Sequence, residues 1–197
     1  MTARQIVLSG ALAVVLLLFG GGAYAVVRYK TYYAPSGSME PTVRTHQLFV
    51  VDQFAYHTAA PVRNDVILFV PPALEPNPLF KRVVAVPGDQ LAIRRGRTLV
   101  NGTQIADPFA ASTPYELVVR SYGMWVDGTR LEPSISFVPP RAEWTAPDTV
   151  PRGCYVALGD NRANSLDSHV WGFFCPGKPL PDRPDVRQAL LGRAMVP

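Results

Sequence analysis

The sequence predicts a mainly β protein: an antiparallel β-sheet domain carried on one N-terminal transmembrane helix. An uncharged apolar run from Ile6 to Val27 fills 22 consecutive positions. Twenty prolines and fifteen glycines punctuate the chain, which argues against a helical bundle. Between them stand short runs of Val, Ile, Leu and Phe, of strand length rather than helix length.

At about 1.5 Å per residue the first run spans roughly 33 Å, enough for one helical crossing of a hydrocarbon core. Gly20, Gly21 and Gly22 weaken the helix, but glycine is common in spanning segments. A removable leader is the competing reading, since Arg4 supplies a positive start and Ala23-Tyr24-Ala25 has the small-residue pattern of a cleavage site. Continuation of the apolar run through Val26 and Val27 favours a retained anchor. Arg4 on one flank faces Arg28 and Lys30 on the other, so flanking charge leaves the orientation undecided.

The strands expected after the anchor are, in order, Gln47–Asp52, Asp65–Val70, Phe80–Val86, Gln90–Arg95, Thr98–Val100, Leu117–Arg120 and Tyr155–Leu158. Asn101-Gly102 closes the fifth as a hairpin turn. The stretch 103–152, rich in Pro, Trp and Ser, reads as an extra β-lobe or long loops. No internal repeat is present.

The net charge of +4 comes without any cluster of five basic residues, so nucleic acid is not expected as a partner. A mildly basic surface suits anionic lipid headgroups and thus a bilayer. No His-Glu-x-x-His and no phosphate-binding glycine loop occurs, so neither metal nor cofactor is expected. Cys154 and Cys175 are either two buried thiols or a disulfide, which would close a loop of about 20 residues and contribute roughly 3 kcal/mol.

Three blocks carry chemistry. The first, Pro35-Ser36-Gly37-Ser38-Met39-Glu40-Pro41-Thr42, begins eight residues after the apolar run. A serine attacks a carbonyl only where a base takes its proton. His46, His57 and His169 are the only histidines, and none stands in a triad signature. A Ser-His-Asp arrangement stays open only because triads are defined by geometry. The second block, Phe80 to Asp89, places Lys81 on the same strand face as Val83 and Ala85. An amine on an apolar face loses hydration, which lowers its pKa toward that of a usable base. The competing reading is a solvent-facing lysine, since Lys81 and Arg82 point to opposite sides. The third block, Gly159 to Gly172, is dense in turn formers and reads either as a solvated Asx-rich loop or as a rigid loop over a site. Ser165 and Ser168 are its candidate partners for a buried amine.

These three blocks, in this order behind an N-terminal apolar segment, resemble those of the bacterial signal peptidase I family (peptidase S26), with a looser echo at Leu191-Gly192-Arg193-Ala194. The resemblance implies a serine endopeptidase with a Ser-Lys dyad. Ser38 would be the acylated nucleophile and Lys81 its general base. Ser36 would donate its hydroxyl to the oxyanion beside the Ser38 N–H, and Ser165 would orient the lysine amine. Asp160 would pair with Arg82 as a structural support. At Asp167 the chain departs from the family's pattern, which has arginine two positions later where this chain has His169. An imidazole pairs with a carboxylate more weakly than a guanidinium does, and in a pH-dependent way.

The resemblance further implies a division into residues 1–30, a cytoplasmic tip and anchor, and 31–197, an extracytoplasmic peptidase domain. The location would be the inner (plasma) membrane, single-pass, and the partners exported precursor proteins with signal peptides and the lipid bilayer. Alternative readings are a conjugative-transfer peptidase that matures pilin subunits, a non-catalytic anchored β-module, and a self-cleaving repressor. The last would need a soluble helix-turn-helix where this chain has its apolar run.

Overall fold

The computed structural model describes residues 22, 24–70, 78–132, 137–178 and 188–196. Most of the expected anchor, Ile6 to Val27, lies outside the described residues, and residues 24–28 at its end are helical. Among the described residues no helix is long and apolar enough to cross a membrane.

The described strands form two six-stranded antiparallel sheets. The first contains β1 (Tyr29–Tyr33), β2 (Leu48–Asp52), β3 (Val66–Val70), β4 (Leu79–Ala85), β11 (Val156–Leu158) and β12 (Ala189–Met195), in the order β1-β2-β12-β3-β4-β11. The second contains β5 (Leu91–Arg94), β6 (Arg97–Val100), β7 (Thr103–Gln104), β8 (Leu117–Arg120), β9 (Gly123–Val126) and β10 (Thr129–Arg130), in the order β10-β9-β8-β5-β6-β7. Asn101 and Gly102, both at positive φ (53° and 77°), make the two-residue turn from β6 to β7. That conformation matches the twist of the flanking strands, and glycine adopts it without steric cost.

The first sheet is covered on both faces. Val66 and Leu68 of β3 pack with Met39, Phe49, Phe80 and Ala194. Ile67 and Phe69, pointing the other way, pack with Val83, Ala157, Trp171 and Phe174. A strand buried on both sides needs apolar residues at every position, which is why Val-Ile-Leu-Phe runs unbroken. A third cluster lies between β4, β11 and the inner face of the second sheet, through Val84, Leu91, Ile93, Leu117, Met124 and Phe173. Each such side chain contributes roughly 1.5–3 kcal/mol by leaving water.

The seven strands read from the sequence all occur, with ends shifted by a residue or so. Strand β1 begins at Tyr29, two residues before the expected domain boundary at Thr31, and Arg28 already forks onto Asp52 of β2. The stretch 103–152 supplies β7 to β10 together with loops. Cys154 and Cys175 are bonded, held opposite one another by the adjoining Tyr155–Phe174 bridge.

Candidate active site

Ser38 sits in the loop from β1 to β2. The loop's neck is closed by Ala34 N–H donating to Gln47 O and His46 N–H to Ala34 O. Inside it, Glu40 Oε1 accepts from both the N–H and the hydroxyl of Thr45, while Met39 is fully buried. The anchored loop leaves Ser38 only 7% exposed.

Lys81 lies in β4 opposite Ile67 of β3, and its Nζ is 2.7 Å from Ser38 Oγ. At 2% exposure, the amine has little water to stabilise its charge. Burial lowers its pKa to about 8, against the opposing pull of the Asp167 and Asp160 carboxylates. The same-strand neighbour Arg82 points the other way. It forks onto Asp160, Nε to Oδ1 and Nη2 to Oδ2, both at 2.7 Å, with Nη1 donating to Asn64 O. Thr42 from the serine loop adds its hydroxyl to Asp160 Oδ2.

The block 159–172 follows β11 and grips the serine loop from behind. Asn161 N–H donates to Ser38 O at 3.1 Å, and Asn161 Nδ2 to Gly37 O at 3.1 Å. Gly159 packs so closely that a Cβ there would stand 2.5 Å from Ser38 O. Asp167 is wholly buried. Its Oδ2 accepts from Gly159 N–H at 3.0 Å, and its Oδ1 from His169 N–H and from the imidazole Nδ1, the latter at 2.5 Å. The Tyr115 ring stacks on His169 at 4.3 Å.

Of the expected site residues, Ser38 and Lys81 meet directly, as do Arg82 and Asp160. Ser36 is exposed with its Oγ 3.4 Å from Ser38 Oγ. Ser165 Oγ is buried beside Gly159 and has no hydrogen-bond partner among the described residues, so the expected bond to the lysine amine is not formed in this geometry. Ser168 is turned to β11, where it accepts from Ala157 N–H. The histidines are engaged elsewhere: His46 bonds the Tyr33 hydroxyl, His57 stacks on Phe54 and His169 holds Asp167.

Sequence reasoning missed Arg162 and Asp107. Arg162 is fully buried, donating Nε to Gly159 O, Nη1 to Thr113 Oγ1 and Nη2 to both oxygens of Asp107. Asp107 also accepts from Thr98 of β6, so the pair ties the 159–172 block to the second sheet. An arginine among turn formers ordinarily points to water, and only the fold brings its partner, 55 residues away, into reach.

The arrangement joins a hydroxyl to a buried amine of lowered pKa, with preformed support for the hydroxyl's backbone. A family model described as "Signal peptidase, peptidase S26" matches residues 4–180. A signal peptidase I of Leptolyngbya laminosa is 32% identical over 171 residues, covering 83% of this chain and 66% of that one. A signal peptidase I of Pseudomonas aeruginosa is 33% identical over 185 residues, covering 84% of this chain and 59% of its own length. Signal peptidase I V of Bacillus subtilis is 31% identical over 165 residues, covering 84% of this chain and 87% of its own length. This chain therefore spans somewhat less than two thirds of the first two relatives and most of the third. With 177 of its residues inside the family model and relatives above 30% identity, the chain belongs to the signal peptidase I family of S26 peptidases.

Proposed function

We propose that this chain is a membrane-anchored serine endopeptidase that removes N-terminal signal peptides from exported precursor proteins with a Ser38–Lys81 dyad. The observation that carries the reading is the 2.7 Å approach of Lys81 Nζ to Ser38 Oγ inside a desolvated pocket. With its pKa near 8, the amine is neutral in a useful fraction near neutral pH, and a neutral amine accepts the serine proton.

As Ser38 Oγ attacks the scissile carbonyl carbon, its proton passes to Lys81 Nζ. The carbonyl oxygen becomes an oxyanion, received by the Ser38 backbone N–H and by the Ser36 hydroxyl after a small rotation from its present place. Each such donor contributes about 3 to 4 kcal/mol to the transition state. The ammonium then protonates the leaving amine. A water, deprotonated by the same lysine, opens the Ser38 ester. Arg82, Asp160 and Asp167 act at one remove by holding the loops, and Ser165 reaches the amine only by rotating out of its unbonded position.

The uncharged run Ile6–Val27 supports an N-terminal anchor, and the Cys154–Cys175 bond supports an oxidising, extracytoplasmic setting. We place the domain outside a plasma membrane, where precursors emerge. Cleavage of a model precursor with small residues before its scissile bond tests the reading, using the full chain in lipid vesicles. Wild type is expected to cleave, and Ser38→Ala and Lys81→Ala to fall to background while retaining their melting transitions. Turnover by Lys81→Ala at the wild-type rate would refute the dyad.

A further inference from the structure

The sequence keeps its basic residues apart, but the second sheet gathers several of them on its outer face. Leu91, Ile93, Leu117, Val119 and Met124 are buried on the inner face, so the alternate residues of β5, β8 and β9 point away from the core. The register lines these up across the strands. Arg130 stands opposite Trp125, Trp125 opposite Val118, Val118 opposite Ala92 and Ala92 opposite Leu99. Arg94 and Arg97 face each other on one side of this row, and Arg120 follows Val118 on the other. Arg120 Cζ lies 4.3 Å from the centroid of the Trp125 ring, whose Nε1 donates to Arg120 O. Arg130 occupies the space that Gly123 leaves free: a Cβ there would stand 2.7 Å from its Nε.

Ala92, Leu99 and Val118 are half-buried and form a recessed apolar floor between the guanidinium groups. A cavity of about 290 Å³ opens over them beside Arg120, and a second of about 180 Å³ lies among Arg94, Arg120 and Trp125. Val118 and Arg120 line both, so the two are neighbours. Among the described residues the carboxylates at this face are Glu116, 3.9 Å from Arg94 with both side chains half-exposed, Asp127 in the β9–β10 turn and Asp148 at the rim. Asp127 and Asp148 already accept from the backbone N–H groups of Glu116 and Ser121. Arg94, Arg97, Arg120 and Arg130, with Arg95 in the β5–β6 turn, outnumber these acids and leave the face cationic.

We propose that this face docks an extended acidic segment of another polypeptide, its carboxylates on the arginines and its apolar side chains in the two cavities. Charge complementarity carries the proposal, since a guanidinium fork pairs with a carboxylate at two points. The recess decides between this partner and other anionic ones. A face that rests on a bilayer presents its apolar side chains outermost, whereas here the arginines project and the apolar residues lie beneath them. Single-stranded nucleic acid stacks its bases on open aromatic rings, and the Trp125 ring already carries Arg120. Hollows of side-chain size between cations fit a peptide instead. The surface shares no residue with the Ser38–Lys81 site, so the inference stands apart from the dyad reading.

Trp144 and Trp171 are buried, so a change in tryptophan fluorescence on binding at this face reports on Trp125. The test titrates the full chain, in phosphatidylcholine vesicles, with a short synthetic peptide of alternating Glu and Leu and with its Lys-Leu counterpart. The acidic peptide should give a saturable change that weakens as salt rises. Arg94→Gln/Arg97→Gln and Arg120→Gln should each raise its Kd by about threefold or more, and Trp125→Phe should lose the signal. The two arginine variants lie on opposite sides of the row, so either carries the prediction should the other fail to fold. The proposal is overturned by the lack of a saturable change, by equal binding of the basic peptide, by a signal that survives in Trp125→Phe, or by folded arginine variants that bind like wild type. It is overturned equally if phosphatidylglycerol vesicles or an oligothymidylate give the arginine-dependent change and the acidic peptide does not, which would assign the face to lipid or to nucleic acid.

Discussion

The main chain of Gly159 lies directly behind Ser38: a methyl group built on it would meet the Ser38 carbonyl oxygen at 2.5 Å. That carbonyl is already fixed by Asn161 N–H, so it has no free direction in which to retreat. The proposed nucleophile is thus positioned from behind by a residue that contributes no side chain.

Gly159→Ala should therefore displace Ser38 rather than be absorbed. Misplacing a reacting atom by about an ångström costs on the order of 100-fold in rate, and kcat should fall by that much with KM little changed. Removing the Ser165 side chain, whose Oγ and Cβ would stand 2.2 and 2.6 Å from the new methyl, in Gly159→Ala/Ser165→Gly should not restore it. A double variant with wild-type kcat would show that the Ser165 side chain, not the Ser38 carbonyl, sets the clearance.

Lys81 should destabilise the fold below about pH 8. Its pKa falls from 10.5 in the unfolded chain to about 8 in the folded one, so the unfolded state binds the proton more tightly. The penalty is complete below about pH 8, shrinks as pH rises through the interval and vanishes above about 10.5. Lys81→Met, which fills the site without a charge, should stabilise the protein by up to about 3 kcal/mol at pH 7 while abolishing cleavage. Denaturant melts of both proteins across this interval should converge toward high pH; a constant difference would mean that the amine's burial is not the cause.

Asp160→Asn breaks a fork in which the carboxylate is fully enclosed and Arg82 nearly so. Stranding one partner of such a pair costs about 3 to 5 kcal/mol. The loss should appear in the melting transition and, because Thr42 shares the carboxylate, as faster proteolysis of the serine loop. Asp160→Asn with an unchanged transition would mean that the pair contributes specificity rather than stability.

Cys154→Ser/Cys175→Ser should lower stability by about 3 kcal/mol, the chain-entropy value for closing a loop of this length. The residues are 21 apart and both wholly buried. Denaturant titration with and without a reductant checks this, since a reductant should affect wild type and leave the double variant unmoved.

Much of this architecture is legible before folding because several strands carry their own signals. Asp65 to Val70 reads as a strand from its apolar run of strand length, and Asn101-Gly102 as its own turn. Strand β12 is not legible: Ala-Leu-Leu-Gly-Arg-Ala-Met has no period of two, because it bulges between Leu190 and Gly192 and its two edges face different strands. Strand β1 is masked by its position, since Tyr29 to Tyr33 continues from the apolar run without a turn. The proximity of Ser38 and Lys81 was available only through the family resemblance, because no local pattern spans 43 residues. The hydrogen bond expected from Ser165 is absent because the loop turns its hydroxyl toward Gly159 instead.

Strand β12 lies between β2 and β3, pairing with both, and its Ala194 packs with Met39, Phe49 and Phe80. The segment that supplies Ser38 and the strand that supplies Lys81 are therefore joined through the last of the described strands to leave the ribosome. A nascent chain lacking residues 189–195 holds an incomplete central sheet, with two unpaired edges where its middle should be. Docking of residues 189–195 is thus the step that ties the serine loop, through β2, to the Lys81 strand, through β3, in a single sheet.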